Sequence, residues 1–348
     1  MIIVLMLIAG LVLLAVGGEA LVRGATGIGR KLGLSPIFVG MVIVGFGTSV
    51  PELAVSIEAV LWSAPGIAVG NVAGSNVANI LLILGTAALI QPIATPGSRI
   101  WQDGSILVAV SLIVPLLGMQ DVIPRWQGFV MLGLLAGFLW MEFAQSRQRT
   151  PAPVVSGAGA GGGERTMTGS GDPALAGNND SVADDDEDDF PAIENGALAA
   201  LVTVIGIGAV VLGAQLIVTG GAEAARAFGV SESFIGLSVV ALGTSLPELA
   251  GAGAAAFRGQ SALAYGNVVG SCIFNILCIL AAAIAVGPLT IPAEVVRYDS
   301  LVMVGSALLM LLLLSTGKRL SRPEACLMLA LYVGYIAARY AQMPGAAG

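Results

Sequence analysis

The chain contains the same sequence pattern twice, at a constant offset of 196 residues. Gly-Thr-Ser-Val-Pro-Glu-Leu at 47–53 recurs as Gly-Thr-Ser-Leu-Pro-Glu-Leu at 243–249, and Gly-Asn-Val-Ala-Gly-Ser at 70–75 recurs as Gly-Asn-Val-Val-Gly-Ser at 266–271. The same offset relates further isolated positions: Gly17 and Gly213, Asn79 and Asn275, Pro92 and Pro288, and Asp103 and Asp299. A register kept over roughly eighty positions indicates a duplication, so the two halves must adopt related structures.

Composition places both halves in a membrane. Hydrophobic residues make up 56% of the chain and charged residues 11%, whereas soluble globular domains carry about 25% charged residues. This contrast favours an integral membrane protein over a soluble one. The chain contains no histidine, and its three cysteines, Cys272, Cys278 and Cys326, lack the spacing of a zinc site. Histidine-based metal ligation and a histidine proton relay are therefore excluded.

Ten stretches are apolar and long enough to cross a bilayer, which takes about 20 residues per helix. They are predicted at 2–22, 36–61, 67–91, 103–119, 125–143, 197–219, 233–257, 261–286, 299–315 and 323–341. We therefore expect an all-α integral membrane fold with two five-helix repeats, 1–143 and 196–348. The stretch 144–195 between them is rich in Gly, Ser, Pro and Asp and includes the acidic run Asp184–Asp189. This composition predicts a disordered acidic linker.

The odd number of spans in each repeat determines how the repeats are oriented. After five crossings the second repeat enters from the opposite side, which predicts an inverted-topology repeat of the kind found in secondary transporters. If the N-terminus is outside, the inside segments contain eleven Lys and Arg residues and the outside segments four. The positive-inside rule then predicts a multi-pass protein of the cell (inner) membrane with both termini extracytoplasmic and the 144–195 linker cytoplasmic.

Each copy of Gly-Thr-Ser-x-Pro-Glu interrupts the middle of an apolar span. Proline lacks a backbone N–H and clashes with the carbonyl four residues earlier, so helices two and seven are predicted to break at the core of the fold. The carbonyls near Gly45 and Ala241 are expected to lack helical partners, which a bilayer tolerates only inside protein or beside a water-filled site. Two hydroxyls and a carboxylate accompany each break: Thr48, Ser49 and Glu52, and then Thr244, Ser245 and Glu248.

An ionisable residue at mid-membrane is costly, so both glutamates are predicted to be functional. The third and eighth spans supply complementary groups, because Ser75 and Asn79 are four residues apart and share a helix face, as do Ser271 and Asn275. Glycines at four-residue spacing in these spans allow close contact with the broken helices. The combined set offers hard oxygen donors and two negative charges, which suit Ca²⁺ or Na⁺ and disfavour zinc or copper.

Some polar residues have alternative interpretations. Interhelical hydrogen bonding without ion contact is the alternative for Asn79 and Asn275. Asp103 and Asp299 are interpreted as helix N-terminal caps at the membrane edge rather than as ligands. Glu58 lies nearer the end of its span and has no acidic counterpart 196 residues later, so it is left out of the predicted site.

In the duplicated motifs, the chain resembles the cation/calcium exchanger superfamily, specifically the prokaryotic sodium/calcium exchanger type. The resemblance covers nearly the whole chain apart from the linker. The two motif pairs look like the alpha-1 and alpha-2 repeats of that family. The resemblance implies a ten-helix inverted-repeat fold with a four-site ion cluster at the membrane midplane. It also implies the ion ligands: side chains of Thr48, Ser49, Glu52, Ser75, Asn79, Thr244, Ser245, Glu248, Ser271 and Asn275, with the carbonyls of Gly45 and Ala241.

Asn275 departs from the family pattern, which often has an aspartate at this position. The asparagine makes the two halves more symmetric, and it argues against potassium co-transport because the potassium-dependent branch resembles the aspartate version. The proton/calcium exchangers of the superfamily carry an acidic residue in a Gly-Asn-x-x-Glu motif. This chain has Gly74-Ser75 and Gly270-Ser271 there, so the proton-coupled branch fits poorly.

The predicted function is therefore a secondary active antiporter that exchanges sodium for calcium by alternating access. Calcium ions, sodium ions and the lipid bilayer are its expected partners, and a cofactor, covalent chemistry and nucleic acid are not expected. We predict that it functions as a monomer. The alternatives are a proton-coupled calcium antiporter on the same fold, and a channel or intramembrane receptor, which would show no strict exchange.

Overall fold

The structure is a computed structural model that describes residues 2–62, 64–94, 97–149, 193–227, 241–287, 289–317 and 319–342. Most of the predicted linker, 144–195, lies outside these ranges. The prediction is wrong for residues 144–149, which form the end of a helix. This helix continues because Glu142 and Ser146 face the protein interior, where Glu142 pairs with Arg99 and Ser146 bonds the backbone N–H of Ser35.

Helices account for nearly all of the described residues in both halves. The first half contains α1 (Ile2–Leu32), α2 (Pro36–Thr48), α3 (Val50–Leu61), α4 (Pro65–Ile90), strand β1 (Ile93–Ala94), α5 (Gly97–Ser111), α6 (Ile113–Leu117) and α7 (Arg125–Arg149). The second contains α8 (Gly196–Ala227), α9 (Ala241–Thr244), α10 (Leu246–Phe257), α11 (Ser261–Val286), α12 (Val295–Gly317), strand β2 (Arg319–Leu320) and α13 (Arg322–Ala341).

Local sequence determines several of these helix boundaries. Gly33 follows α1 with φ of 63°, a left-handed conformation that glycine adopts without strain. Ser35 caps α2 by accepting the backbone N–H of Phe38 at 3.3 Å, and Pro36 stands in the first turn, where its missing N–H costs nothing. α13 begins in the same way, with Ser321 and Glu324 forming a capping box.

Seven helices are long and apolar enough to cross a membrane: α1, α4, α5 with α6, α7, α8, α11 and α12. The bent pair α2 and α3 is an eighth if it counts as one span. The predicted span 233–257 is described only from residue 241, and α13, which covers the predicted span 323–341, is not among the seven. The fold is therefore nearly all-helical and multi-pass, and the total of ten spans stays a prediction.

Helices α4 and α11 occupy the centre of the fold. In the span-length windows of these two helices, 72% and 83% of the residues are buried, against 17% in α1 and 33% in α8. The long helices α1 and α8 pack against each other at glycines, since a Cβ at Gly17 would lie 2.9 Å from the backbone nitrogen of Val210. Polar residues on α4 and α11 are therefore shielded from lipid by the helices around them.

The broken helix α2 crosses α11 in backbone contact. A Cβ at Gly40 would overlap the carbonyl oxygen of Leu263, and a Cβ at Gly270 would overlap that of Met41. Small residues are the usual means of bringing helices this close in a bilayer, where the hydrophobic effect does not drive helices together. This crossing brings the polar residues that follow Gly40 on α2 against those of α11.

Two short backbone pairings join the halves at equivalent places. Ile93 in β1 pairs with Leu320 in β2, and Ile123 pairs with Leu289 in an isolated bridge. The 196-residue offset converts one pairing into the other to within one residue. Each pairing therefore joins the segment after the central helix of one half to the segment before the last helix of the other half.

Asp103 and Asp299 form ion pairs, so the prediction that they are helix caps is wrong. Asp103 lies within α5 and is fully buried, with its Oδ2 3.3 Å from Nε of Arg99. Oδ1 of Asp299 lies 3.2 Å from Nε of Arg339 and accepts the hydroxyl of Tyr335 at 2.9 Å. The sequence pattern missed this because each arginine belongs to one half only and has no counterpart at the offset.

The α2–α11 crossing gives a prediction about stability. Gly270→Ala should destabilise the protein by about 1–3 kcal/mol, because the added methyl must push α11 away from the backbone of Met41. We expect the midpoint of thermal unfolding in detergent to fall by several degrees. The control is Gly334→Ala on α13, where a Cβ meets nothing within 4 Å in the described structure. Equal midpoints for the two variants would contradict the crossing.

Candidate ion-binding site

The site is built around two helix breaks with the same backbone geometry. Ser49 separates α2 from α3 with φ −84° and ψ 7°, and Ser245 separates α9 from α10 with φ −90° and ψ 3°. In the first half the two segments are bent by 45°. Pro51 and Pro247 stand in the first turn of α3 and α10 and cannot donate a hydrogen bond backwards, so the chain restarts each helix after the serine.

The carbonyl of Gly45 has several hydrogen-bond donors, so the prediction that it lacks its helical partner is wrong. It accepts the backbone N–H of Ser49 at 3.2 Å and the hydroxyl of Ser271 at 3.3 Å. The hydroxyl of Thr48 lies 3.2 Å away and is shared with the carbonyl of Val44 at 3.1 Å. The reason is positional: proline removes the bond to the residue four before it, and for Pro51 that residue is Gly47. Ser271, on α11, thereby ties the second half to the broken helix of the first.

Glu52 and Glu248 lie in the first turns of α3 and α10, where the helix dipole favours negative charge. Their side chains are 1% and 0% exposed. The hydroxyl of Ser49 donates to Oε1 of Glu248 at 2.9 Å, which is a direct contact between the predicted ligands of the two halves. The structure therefore places both glutamates in the interior, as the repeat pattern predicts, and joins one of them to the opposite half.

Six buried side-chain oxygens of the predicted ligands have no hydrogen-bond partner among the described residues. They are Oε1 and Oε2 of Glu52, Oε2 of Glu248, Oγ of Ser245, Oδ1 of Asn79 and Oδ1 of Asn275. A buried polar atom without a partner costs about 1–3 kcal/mol, and more if it is charged. Calcium takes six to eight oxygen ligands, so buried oxygens of this kind are the type of ligand that such a cation needs.

The other predicted ligands are buried to different degrees. The structure buries the side chains of Thr48, Ser49, Ser75, Asn79, Ser245, Ser271 and Asn275. Thr244 is half-buried on α9, and Ala241 is the first described residue of that helix. In the described part of the chain, Ser75 makes no side-chain hydrogen bond to another member of the set, so the structure places it on α4 without a bond to the other predicted ligands.

Both asparagines of the set stand where the helix changes its hydrogen-bonding pattern. The backbone of α4 is π-helical over Ala78–Leu84, and that of α11 over Asn275–Leu280. Such widened turns are rare and are often found at functional sites. They begin beside Asn79 and at Asn275, in the helices that face the breaks. Neither the repeat offset nor the apolar pattern distinguishes a π-helical turn from an α-helical one.

Two further asparagines hold the glutamate segments in place and were missed as site residues. The amide of Asn71 donates to the backbone carbonyl of Glu52 at 3.2 Å, and the amide of Asn267 donates to that of Glu248 at 3.2 Å. Each bond attaches the restarted helix to the central helix of its own half. The signal was available, because both asparagines occur in the repeated Gly-Asn pair, but the pair was used only to set the register.

The charge of the site is uncompensated by basic side chains on its own helices. The helices that carry the predicted ligands contain no lysine or arginine in residues 36–61, 65–90, 241–257 and 261–286. The nearest one along the chain is Arg258, directly after the third range. Within the described residues, no group of three or more His, Cys, Asp or Glu side chains is arranged to hold a metal ion. Calcium affinity falls with fewer charged ligands, so two carboxylates among neutral oxygens fit a hard cation that is bound and released.

Comparison with known proteins identifies the family. A family model described as sodium/calcium exchanger protein matches residues 2–144 and 198–341, which together cover most of the chain. The chain belongs to the sodium/calcium exchanger family. Members of this family are membrane transporters, so the protein is an antiporter-type transporter and not an enzyme, as the sequence predicted.

Individual sodium/calcium exchangers and related proteins match over nearly their full length. The putative antiporter CaxA of Alkalimonas amylolytica is 32% identical over 94% of this chain and 95% of its own. The sodium/calcium exchanger MaX1 of Methanosarcina acetivorans is 31% identical over 95% and 97%. A solved structure of the sodium-calcium exchanger NCX_Mj has a TM-score of 0.77 at 28% identity, covering 97% of this chain and 98% of that one.

The two glutamates give a direct binding test. Glu52→Gln should raise the Ca²⁺ dissociation constant about 10- to 100-fold. It removes one of two charges, and a charged contact is worth about 1.5–3 kcal/mol. Equilibrium binding of calcium-45 to the purified protein measures this. Glu58→Gln is the control, since Glu58 is exposed on the same helix, α3, and should bind as wild type does. Wild-type affinity in Glu52→Gln would remove Glu52 from the site.

Proposed function

We propose that this protein is an antiporter that exchanges Na⁺ for Ca²⁺ across the cell (inner) membrane by alternating access. The observation that carries the proposal is the pair of buried carboxylates, Glu52 and Glu248, which come from opposite halves and have buried oxygens without partners in the described residues. Two negative charges can be balanced by one Ca²⁺ or by Na⁺ ions in its place. The same oxygens can therefore serve both transported ions alternately.

The proposed architecture is ten transmembrane helices in two inverted five-helix repeats, with the breaks at Ser49 and Ser245 facing each other. The backbone pairings at Ile93 and Leu289, which are related by the repeat offset, support this arrangement. So do the equivalent hydrogen bonds from the amides of Asn71 and Asn267 to the backbone carbonyls of Glu52 and Glu248. In this arrangement both termini are extracytoplasmic, the acidic 144–195 linker is cytoplasmic, and a monomer contains the complete ion pathway.

The proposed ligands are the residues of the duplicated motifs. Glu52 and Glu248 contact both ions, and the hydroxyls and amides around them complete the coordination. The set is Thr48, Ser49, Glu52, Ser75, Asn79, Thr244, Ser245, Glu248, Ser271 and Asn275, with the carbonyls of Gly45 and Ala241. The hydroxyls of Ser49 and Ser271 are within hydrogen-bonding distance of site oxygens, which supports their inclusion.

Sodium is proposed as the counter-ion in preference to protons. Relatives named as sodium/calcium exchangers, MaX1 and NCX_Mj, match the chain over nearly its full length. The relative CaxA is named only as a putative antiporter, so its name specifies no counter-ion. A proton-coupled calcium antiporter on the same fold is therefore the alternative that an experiment must separate from Na⁺/Ca²⁺ exchange.

The decisive experiment measures calcium-45 uptake into liposomes containing the purified protein. Liposomes loaded with Na⁺ and diluted into Na⁺-free medium should take up Ca²⁺, because outward Na⁺ movement supplies the driving force. Liposomes loaded with choline at acidic pH and diluted at neutral pH provide the proton-driven comparison. Glu248→Gln should abolish uptake in both, since one of the two charges that bind Ca²⁺ is gone. Uptake that follows the pH gradient and ignores Na⁺ would overturn sodium coupling.

The membrane potential tests whether more than two Na⁺ replace one Ca²⁺. If so, net positive charge leaves a Na⁺-loaded liposome as Ca²⁺ enters, and each charge moved is worth about 2.3 kcal/mol per 100 mV. A potassium diffusion potential that makes the interior positive should then accelerate uptake, and an interior-negative potential should slow it. An uptake rate that does not change with the potential would indicate electroneutral exchange.

A further inference from the structure

Asn76 is a buried polar residue that the predicted ion site does not use. It follows Ser75 on α4, is fully buried, and has Cys272 as its counterpart at the repeat offset. Its side chain crosses from the first half to the second at the α4–α11 contact. Nδ2 of Asn76 lies 3.3 Å from the backbone carbonyl of Cys272 and 3.5 Å from Sδ of Met303, and its Oδ1 lies 2.9 Å from Nδ2 of Asn275.

The direction of this hydrogen-bond chain is fixed by its first member. A backbone carbonyl can only accept, so Asn76 must turn its NH₂ group toward Cys272. The oxygen of the Asn76 amide then faces Asn275 and can only accept in turn. Asn275 is therefore compelled to present its own NH₂ group to Asn76. Both amide orientations follow from chemistry and leave no choice at either residue.

This orientation determines where the side-chain oxygen of Asn275 points. With Nδ2 bonded to Asn76, Oδ1 of Asn275 points away from that contact, and it is buried without a hydrogen-bond partner among the described residues. An amide oxygen is a good ligand for Ca²⁺ or Na⁺, whereas an NH₂ group carries positive partial charge and repels either ion. The orientation of this one amide therefore decides whether position 275 attracts or repels a cation.

The equivalent position in the first half lacks this control. The counterpart of Asn275 is Asn79, and the counterpart of Asn76 is Cys272, whose thiol lies 3.9 Å from the backbone oxygen of Asn76. Among the described residues, the side chain of Asn79 has the Cys272 thiol beside it and no amide partner. A thiol is also a weak donor and acceptor compared with an amide. The two duplicated asparagines are therefore held differently.

We propose that Asn76 is a positioning residue that makes Asn275 a cation ligand by fixing its carbonyl oxygen toward the transported ion. This inference rests on the proposed function in one respect only, that a cation binds at Asn275. It does not depend on which ion is exchanged for Ca²⁺. Asn76 itself touches no ion in this arrangement and acts through the hydrogen bond to Asn275.

The test removes Asn76 in two backgrounds. In the wild-type background, Asn76→Ala frees the Asn275 amide to rotate, and we expect the Ca²⁺ dissociation constant to rise about 5- to 20-fold. In an Asn275→Asp background, a carboxylate presents oxygen in either orientation and its contact with Oδ1 of Asn76 is repulsive. There Asn76→Ala should leave the dissociation constant unchanged or lower it. Asn76→Leu, which is close to asparagine in size, repeats the comparison without leaving a cavity.

Two readouts distinguish positioning from packing. Equilibrium calcium-45 binding to purified protein gives the dissociation constant, and Ca²⁺/Ca²⁺ exchange in liposomes gives KM and the maximal rate without any Na⁺ or proton gradient. Positioning predicts a higher KM with a maximal rate within about twofold of wild type, since only binding uses the amide. Ser306→Ala, which removes a buried hydroxyl from α12, is the control and should leave KM unchanged.

Three results would overturn the inference: an unchanged dissociation constant in Asn76→Ala, an equal rise in the wild-type and Asn275→Asp backgrounds, or a fall in the maximal rate without a change in KM. The second result would assign Asn76 to packing. Failure of the proposed function gives a different result. Wild-type Ca²⁺ exchange that does not depend on Na⁺ overturns sodium coupling, but the comparison of Asn76→Ala in the two backgrounds is still valid. A wild-type protein that binds no Ca²⁺ would overturn both.

Discussion

Two carboxylates buried in the membrane interior, without a basic side chain beside them on their helices, are the constraint on which the rest of this structure depends. Removing a charge from water costs several kcal/mol even after the protein relaxes, so Glu52 and Glu248 must be compensated locally. The helix breaks place each glutamate in the first turn of a new helix, where the dipole favours negative charge. The hydroxyls and amides around them carry no net charge, so in the proposed function the bound cation balances the two carboxylates.

Close packing makes a site of this kind possible in a bilayer. Gly40 and Gly270 allow the backbones of α2 and α11 to touch, which places Ser271 against the carbonyl of Gly45. A larger residue at either glycine would separate the two helices and open the space between the hydroxyls and the carboxylates. The small side chains at the crossing therefore determine the size of the ion site, although they contribute no ligand.

The repeat offset predicted which polar residues belong to the candidate site, and it predicted few of the contacts among them. Glu52, Glu248 and the serines were found because duplication preserved residue type at matched positions, and burial of these groups follows from membrane composition. The partners of the Gly45 carbonyl were not predictable, because they depend on where the bend falls and on Ser271 from the other half. The contacts of Asp103 and Asn76 were missed for a related reason: their partners come from positions that the repeat does not preserve, or from across the α4–α11 contact. Sequence periodicity reports what the halves share, and these contacts are where they differ.

Two of the contacts at the candidate site that the halves do not share have the same direction, whereas the bond from Ser271 to the Gly45 carbonyl has the opposite one. Glu248 and Asn275, both from the second half, are held by Ser49 and Asn76 of the first. The mirror-image contact between Ser245 and Glu52 is missing among the described residues, since neither the hydroxyl of Ser245 nor the carboxylate of Glu52 has a hydrogen-bond partner there. Asn79 has the thiol of Cys272 beside it in place of an amide. In an inverted repeat, the inward-open and outward-open states arise when the halves exchange conformations, so a perfectly symmetric site would give the two states equal energy. Contacts that differ between the two halves remove that equality. In the proposed inverted repeat, the presence of Cys272 in place of a second asparagine is thus a difference outside the proposed ion ligands that would make the two states unequal in energy.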